Sequence, residues 1–463
     1  MDIFIPEAVR RLAAASETPI FLVGGCVRNA LAHLGQTEAY KDGGLVHGMQ
    51  GHAGQTDVDL CGPLIATALK LPRGATVQIV NYRLGTALIT YMGNKYEYTP
   101  FRVEKYDAGG GHTPVEVHFT TSLTQDAMRR DFTVNSIYVN AATGEWIDPV
   151  GGIADVERKV LRSHDPALIF ASDGLRLMRL VRLAAETGFK LDGPTARAAI
   201  EAAGNLKDIS GERKREELLR ILTADLKYGV PDAHYRGLKL LQKIGLLPYI
   251  MEPLHEAAGL AQNPKYHKYD VLEHTFRTVL HAPPRLRLAA LMHDIGKPYA
   301  MQCYGNFHGH EVAGETITRD ILARELRCSA AVVNHTAQLV RYHMYDMEGK
   351  TKEGKMRLFV AKHFDIIDDL AALMQADALA TGMVTEEQAK QKRRLLAVRD
   401  ALLSDGAPLS LSDLDISGAD LTDLGYEGPA VGEMLQDCWR TAVLDPKLNR
   451  RDWLIAYAEK HKK

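Results

Sequence analysis

The sequence predicts an α/β head with a small mixed sheet, followed by a mostly α-helical neck, a helical domain rich in histidine, and a helical tail. Three observations predict it. Short apolar runs rich in Val, Ile and aromatics, punctuated by glycines, recur at 20–23, 76–80, 86–92, 96–103 and 133–139, which is the signature of strands. Residues 165–250 lose that punctuation, and LRLMRLVRLAAETGF interleaves arginine with Leu, Ala and Val at helical spacing. Residues 265–395 are again helical and concentrate histidine. The expected boundaries are 1–160 for the head, 161–255 for the neck, 256–400 for the histidine-rich domain and 401–463 for the tail.

The chain has 463 residues and a formal net charge of -2. A balance so near neutral excludes a bulk electrostatic grip on nucleic acid, so RNA contact requires local basic faces. The candidate faces are Lys207, Arg213, Lys214 and Arg215, then Lys390, Lys392, Arg393 and Arg394, then Lys447, Arg450 and Arg451. The cysteines, Cys26, Cys61, Cys303, Cys328 and Cys438, show no CxxC spacing, which fits a reducing compartment. No stretch reaches the roughly 20 apolar residues that span a bilayer. The N-terminus has no signal-peptide layout. No membrane partner and a cytoplasmic location are therefore expected.

In the head, FLVGGCVRN runs from an apolar strand into Gly24-Gly25 and a helix start with Arg28. Paired glycines allow close backbone approach, and helix-start N–H groups favour phosphate. TDVDL places Asp57 and Asp59 two apart, on one side of a strand. Two clustered carboxylates repel unless a proton or cation lies between them, and Mg²⁺ with substrate phosphates is the common solution. Taken alone, the pair fits a solvated turn beside a strand better than a metal site. The glycine-rich segment 36–56 before it reads as a mobile loop that orders around nucleotide or RNA. Downstream, AMRRDFTVNS carries Arg129, Arg130 and Asp131. SDGLRLMRLVR sets Asp173, Arg176 and Arg179 at spacings of three, on one face of a helix. Together these elements point to metal-assisted phosphoryl or nucleotidyl transfer.

The segments LVGGCVRN, TDVDL, YTPFRVE, LTQDAMRRDFTVNSI, DPVGGIADVERKVLR, ASDGLRLMRLVRLAAETGF and GERKREELLRIL occur in order over roughly residues 20–250. This combination resembles class II nucleotidyltransferases, the tRNA CCA-adding enzymes and bacterial poly(A) polymerases. The resemblance implies a nucleotidyltransferase head in which Asp57 and Asp59 are the catalytic, Mg²⁺-binding carboxylates. It places Gly24, Gly25 and Arg28 against the nucleotide triphosphate, and Arg129, Arg130 and Asp131 near triphosphate and ribose. Asp173 and Arg176 would template the incoming base, with Arg179 on the same helix. Glu212, Arg213 and Glu216 would fall in a supporting neck motif. The chain departs from the family pattern at Asn29, where the family has aspartate, and at Ser172, where it has glutamate. The connection between Arg28 and Asp57 is also longer than usual. A carboxylate and a guanidinium can match the exocyclic amine and ring acceptor of C or A; G and U would leave polar groups unpaired.

The histidine-rich region holds His274, His293-Asp294 within LAALMHDIGKP, His308 and His310, His335 and His343, and Asp377. Neutral imidazoles and carboxylates suit a divalent metal. This set resembles the HD phosphohydrolase domain. The resemblance implies His274, His293, Asp294 and Asp377 as central ligands of a divalent ion, and His310 and His335 as auxiliary ligands for a second metal. The leading expectation is CCA addition to the tRNA acceptor end from CTP and ATP. The alternatives are poly(A) addition, partial CC or A addition, and a phosphohydrolase with a vestigial head.

Overall fold

The computed structural model describes residues 3–37, 55–106, 114–383 and 386–462, with backbone alone over 55–57 and 386–392. Among the described residues the strands are β1 Phe21–Val23, β2 Gln55–Gly62, β3 Thr76–Asn81, β4 Thr86–Tyr91, β5 Asn94–Pro100, β6 Arg102–Lys105, β7 Glu116–Phe119, β8 Tyr138–Asn140 and β9 Trp146–Ile147, with a further short parallel pair at Val160–Leu161 and Lys190–Leu191. Seven of them form one mixed sheet in the order β3-β4-β5-β2-β1-β8-β9, while β6 and β7 pair separately. Only β2 and β5 pair parallel in the main sheet. The apolar run 96–103 is divided between the two sheets because Phe101 turns inward. It packs on Phe21 at 5.7 Å between ring centroids and edge-on to Tyr138 at 6.1 Å. The run 133–139 begins as a 3₁₀ turn, Thr133–Asn135, and becomes a strand only at Tyr138.

The helices of the head and neck are α1 Glu7–Ala15, α2 Gly25–Leu31, α3 Leu123–Met128, α4 Gly152–Glu157, α5 Pro166–Ser172, α6 Leu175–Thr187, α7 Gly193–Glu201, α8 Gly211–Leu222, α9 Ala224–Tyr228, α10 Ala233–Ile244 and α11 Glu252–Glu256. α6 is buried on nearly every side. Its interior arginine, Arg182, is matched by acids: Nε donates to Glu217 at 2.6 Å and Nη1 to Glu186 at 3.0 Å. Burial opposes ionisation of Glu186, but Arg182 and then Lys227 outweigh it and hold its carboxyl below the usual range.

The remaining helices are α12 Val271–His281, α13 Arg287–Met292, α14 Lys297–Tyr304, α15 His310–Asp320, α16 Ala330–Tyr342, α17 Glu353–Lys362, α18 Ile367–Ala380, α19 Glu386–Ser404, α20 Gly418–Asp423, α21 Pro429–Leu444 and α22 Arg451–His461. The chain divides into two compact units, Met1–Glu256 with Asp320–Val332, and Ala257–Arg319 with Val333–Lys463. The first unit is thus discontinuous. Its inserted piece carries one π-helical turn, Ile321–Glu325, and accepts hydrogen bonds from Arg215 at the carbonyls of Leu326 and Arg327. A side chain at Gly211 would collide with the Glu325 carbonyl, so glycine is required where α8 meets this segment. Among the described residues, no helix is long and apolar enough to cross a membrane.

Candidate functional site

β1 ends at Val23, whose register partner in β2 is Asp59. Gly24 follows with φ +80°, in the left-handed region that favours glycine, and reverses the chain into α2. A Cβ at Gly24 would stand 3.5 Å from Asp59 Oδ2, so the carboxylate lies against the glycine turn. Burial, and then the Asp59 charge, push the Cys26 thiol up to about 12. Asp57 lies two residues earlier in β2, within the irregular stretch of its pairing with β5; its side chain is outside the described residues. Of the expected loop 36–56, residues 38–54 also lie outside them.

Arg28 departs from expectation. Its side chain is not spread toward open space: the residue is 4% exposed and its donors are engaged within the protein. Nε and Nη2 reach Asn29 Oδ1 at 3.1 and 2.8 Å, and Nη1 reaches Asn135 Oδ1 at 2.6 Å. The RRD segment is held by a residue that the motif reading passed over, Asp126. Its carboxylate accepts from Arg129 Nε at 2.8 Å, Arg130 Nη2 at 3.0 Å and Tyr138 Oη at 2.8 Å. The signal was present in the spacing, since Asp126 precedes the arginines by three and four. Burial opposes the Asp126 charge; Arg130 and Arg129 outweigh it and lower its pKa. Asp131 accepts from Arg179 Nη2 at 2.8 Å and from Asn135 Nδ2 at 3.0 Å. Despite burial, Arg179 and Asn135 hold it well below the ordinary carboxylate range.

Asp173, Arg176 and Arg179 do not share one helical face. α5 ends at Ser172, Asp173 is extended, and α6 begins at Leu175. Gly174 makes this junction, because a Cβ there would strike the Asn205 carbonyl. Asp173 pairs with Arg213 at 2.7 Å. Arg176 instead donates to Ser172 Oγ at 2.8 Å and to the Arg129 carbonyl at 3.3 Å. The serine that replaces the family glutamate is therefore an acceptor for Arg176, and Arg176 ties α6 to the RRD segment. Glu104 adds a further acid near Arg129, at 3.6 Å, and accepts from Tyr106 Oη at 2.6 Å.

In the second unit, His293 and Asp294 fall in the turn between α13 and α14 rather than on a helix. His274 Nε2 is 2.9 Å from Asp377 Oδ1 and 3.3 Å from His293 Nε2. Asp294 faces both ways, with Oδ2 3.2 Å from His293 Nε2 and Oδ1 3.3 Å from His310 Nε2. Two groups with metal-ligand geometry result: His274, His293 and Asp377, then Asp294, His310 and His343. His335 is not in either. It pairs with Asp369 at 3.0 Å, and His343 takes the expected place, 3.3 Å from His310 Nε2. The Nδ1 atoms of His293, His310 and His343 lie 2.8, 2.8 and 2.7 Å from the carbonyls of Ala290, Phe307 and Val340. That arrangement fixes Nδ1 as donor and leaves Nε2 lone pairs converging, which fits a divalent ion in each group. Lys297, also unforeseen, sits 2.7 Å from Asp294 Oδ2. Burial opposes the Asp294 charge, but His293 and Lys297 hold its carboxyl well below the usual range. His267 packs edge-on at 5.0 Å from His274, and burial with Lys297 lowers its pKa to about 4.

Several of the cations expected to meet RNA are engaged internally. Lys214 donates to the Tyr249 carbonyl at 3.0 Å, Arg213 pairs with Asp173, and Arg394 pairs with Asp346 at 2.7 Å. Arg451 pairs with Asp420, and Arg450 with Asp452 at 2.5 Å. Except for Asp452, two residues from Arg450, the carbonyls and acids that claim these side chains are distant in sequence. The side chains of Lys390 and Lys392 lie outside the described residues.

Comparison with known proteins matches residues 20–162 to the poly A polymerase head domain, 188–258 to the probable RNA and SrmB-binding site of polymerase A, and 267–382 to the HD domain. An A-adding tRNA nucleotidyltransferase of Deinococcus radiodurans is 32% identical over 335 residues, 68% of this chain and 74% of that one. A CC-adding tRNA nucleotidyltransferase of Thermus thermophilus is 34% identical over 333 residues, covering 68% and 72%. Among solved structures, the Bacillus stearothermophilus CCA-adding enzyme in complex with CTP superposes with a TM-score of 0.62 at 22% identity, covering 96% of this chain and 93% of that one.

Proposed function

The chain belongs to the tRNA nucleotidyltransferase family with a poly(A)-polymerase-type head and an HD domain, and from that premise we propose that it completes the tRNA 3′ end with CCA, using CTP and ATP. The observation that carries this reading is the hydrogen bond from Arg176 to the Arg129 carbonyl, which joins the base-reading junction to the head's RRD segment. Asp59, with Asp57 two residues before it, would hold Mg²⁺ at the glycine turn. Bound there, the ion would neutralise triphosphate charge and favour the alkoxide form of the attacking hydroxyl. The 3′-oxygen of the tRNA forms a bond to the α-phosphorus, the bond to the β-phosphate bridge breaks, and pyrophosphate leaves. Asp173 selects the base. Its oxygens offer about four lone-pair sites; the Leu175 N–H and two Arg213 contacts occupy three. The remaining one accepts the exocyclic amine of C or A.

The relatives' names divide among A-, CC- and CCA-adding activities, so the product is the decisive measurement. Purified protein is incubated with tRNA lacking its 3′ end, with CTP, ATP or both. Three added residues ending in A are expected. A single A added only to tRNA already ending in CC would replace this reading with A addition, and CC alone would replace it with CC addition. Unlimited A addition, or none, would overturn it.

A second reading applies to the HD residues, because Asp294 faces both imidazole groups. His274, His293 and Asp377 would hold one divalent ion, His310 and His343 another, and Asp294 both, for hydrolysis of phosphate esters. Such a pair supplies an activated water and neutralises the ester. Lys297 holds the Asp294 carboxylate, 2.7 Å from Oδ2. We assign 1–160, 161–255, 256–400 and 401–463 to head, neck, HD domain and tail, a division supported by family matches ending at 162 and 258 and beginning at 267.

A further inference from the structure

Among the described residues, the hydrogen-bond acceptors of the buried Arg28 guanidinium are all neutral, and its charge helps to lower the Glu186 carboxyl without an ion pair to it. Asn29 Oδ1 receives two of its N–H groups and Asn135 Oδ1 a third. Its Nη2 also lies 3.4 Å from the Tyr228 hydroxyl, which accepts from Asn29 Nδ2 at 2.8 Å. Tyr228 ends α9 in the neck, some two hundred residues along the chain. From Asn135 the chain of bonds continues to Asp131, and from Asp131 to Arg179 on α6. Neck residues therefore grip both ends of a polar chain that runs through the head. The guanidinium lies directly behind the glycine turn, with Nη2 3.7 Å from where a Cβ of Gly25 would stand.

We propose that Asn29 and Tyr228 are positioning residues that hold Arg28 behind the glycine turn with no described carboxylate in hydrogen-bonding contact, so that its field acts on the phosphates of the bound nucleotide and departing pyrophosphate. The proposal rests on the nucleotidyltransferase reading above. Its physical basis is that a charge in a low-dielectric setting acts over several ångströms if no counter-charge touches it. An aspartate at 29, the family residue, would form an ion pair with Arg28 and quench that field. An asparagine gives the same bidentate oxygen without the charge, and its amide then needs an acceptor, which the Tyr228 hydroxyl supplies.

The test uses the full chain and inorganic pyrophosphate as the probe, with its dissociation constant measured by calorimetry and KM values measured for CTP, ATP and tRNA. Asn29→Asp is expected to weaken pyrophosphate binding and raise the nucleotide KM values by about tenfold, the ratio that corresponds to ~1.4 kcal/mol. The tRNA KM and the thermal midpoint should be unchanged or, for the midpoint, higher, because the new pair is satisfied. Tyr228→Phe is expected to weaken pyrophosphate binding about three- to tenfold, from the loss of one buried hydrogen bond. Asn29→Asp binding pyrophosphate as tightly as wild type would overturn the charge argument. Tyr228→Phe doing so would overturn the role of Tyr228. Wild type that binds pyrophosphate but adds nothing to tRNA would instead refute the reading on which the proposal rests.

Discussion

The arginines of the head and neck and the histidines of the second unit are both buried polar clusters, but they are satisfied in opposite ways. Arg129 and Arg130 converge on Asp126, Arg179 on Asp131 and Arg182 on Glu186 and Glu217. Each guanidinium is held by a carboxylate within the protein, so these pairs set geometry. In the second unit His293, His310 and His343 spend Nδ1 on backbone carbonyls, and the Nε2 atoms of these three and His274 turn toward one another, an arrangement that suits a cation between them. One cluster is satisfied within the protein, and the other has the geometry to hold a metal ion.

Substitutions can break this contrast. The largest effect is expected from Asp59→Ala, which should lower nucleotide addition by a factor on the order of 10³ or more while leaving phosphate-ester hydrolysis by the HD residues measurable. Retained addition would refute Asp59 as a catalytic carboxylate. Next is Arg182→Met, where two buried carboxylates lose their shared cation. Urea unfolding should show a loss of about 3–5 kcal/mol near neutral pH, as for a broken buried ion pair. The sign with pH follows from the depressed pKa of Glu186. Its contribution is present above the unfolded value of about 4.3 and lost as pH falls through the folded value. The gap between variant and wild type should therefore narrow toward pH ~3. A gap that widens in acid would contradict the assignment.

The smallest effect sharpens the histidine side. His343→Ala should reduce bound divalent ion by about one equivalent per chain in metal analysis after dialysis, while His335→Ala should leave the metal content unchanged. The reverse result would restore His335 as the ligand. The sequence could not separate the two, because both lie in NHTAQLVRYH and nothing local identifies Asp369, 34 positions beyond His335, as its partner. His274, His293, Asp294 and Asp377 are named through the resemblance to the HD domain, and the fold brings them within hydrogen-bonding reach of one another. The apolar runs marked the strands at 21–23, 76–81, 86–91 and 94–100, but not the short strands Glu116–Phe119 and Trp146–Ile147, and Phe101 and the Thr133–Asn135 turn obey tertiary packing. Arg28 was recognised as a motif residue, but its burial depends on Tyr228 and Asn135, whose proximity is a property of the fold. The break at Gly174 was concealed by the spacing of three that Asp173, Arg176 and Arg179 share.

The discontinuity of the first unit bears on how the chain is made. α8 carries Arg213, the partner of Asp173, and packs at Gly211 and Arg215 against residues near 325. A ribosome that has released the chain only to Glu256 has delivered the head and neck without that buttress. Synthesis from the N-terminus lets domains fold as they emerge, but this unit gains its last packing layer only after Asp320–Val332 has followed. A fragment cut at 256 would expose the face of α8 that this layer covers, so autonomous expression of the head and neck requires the later segment as well.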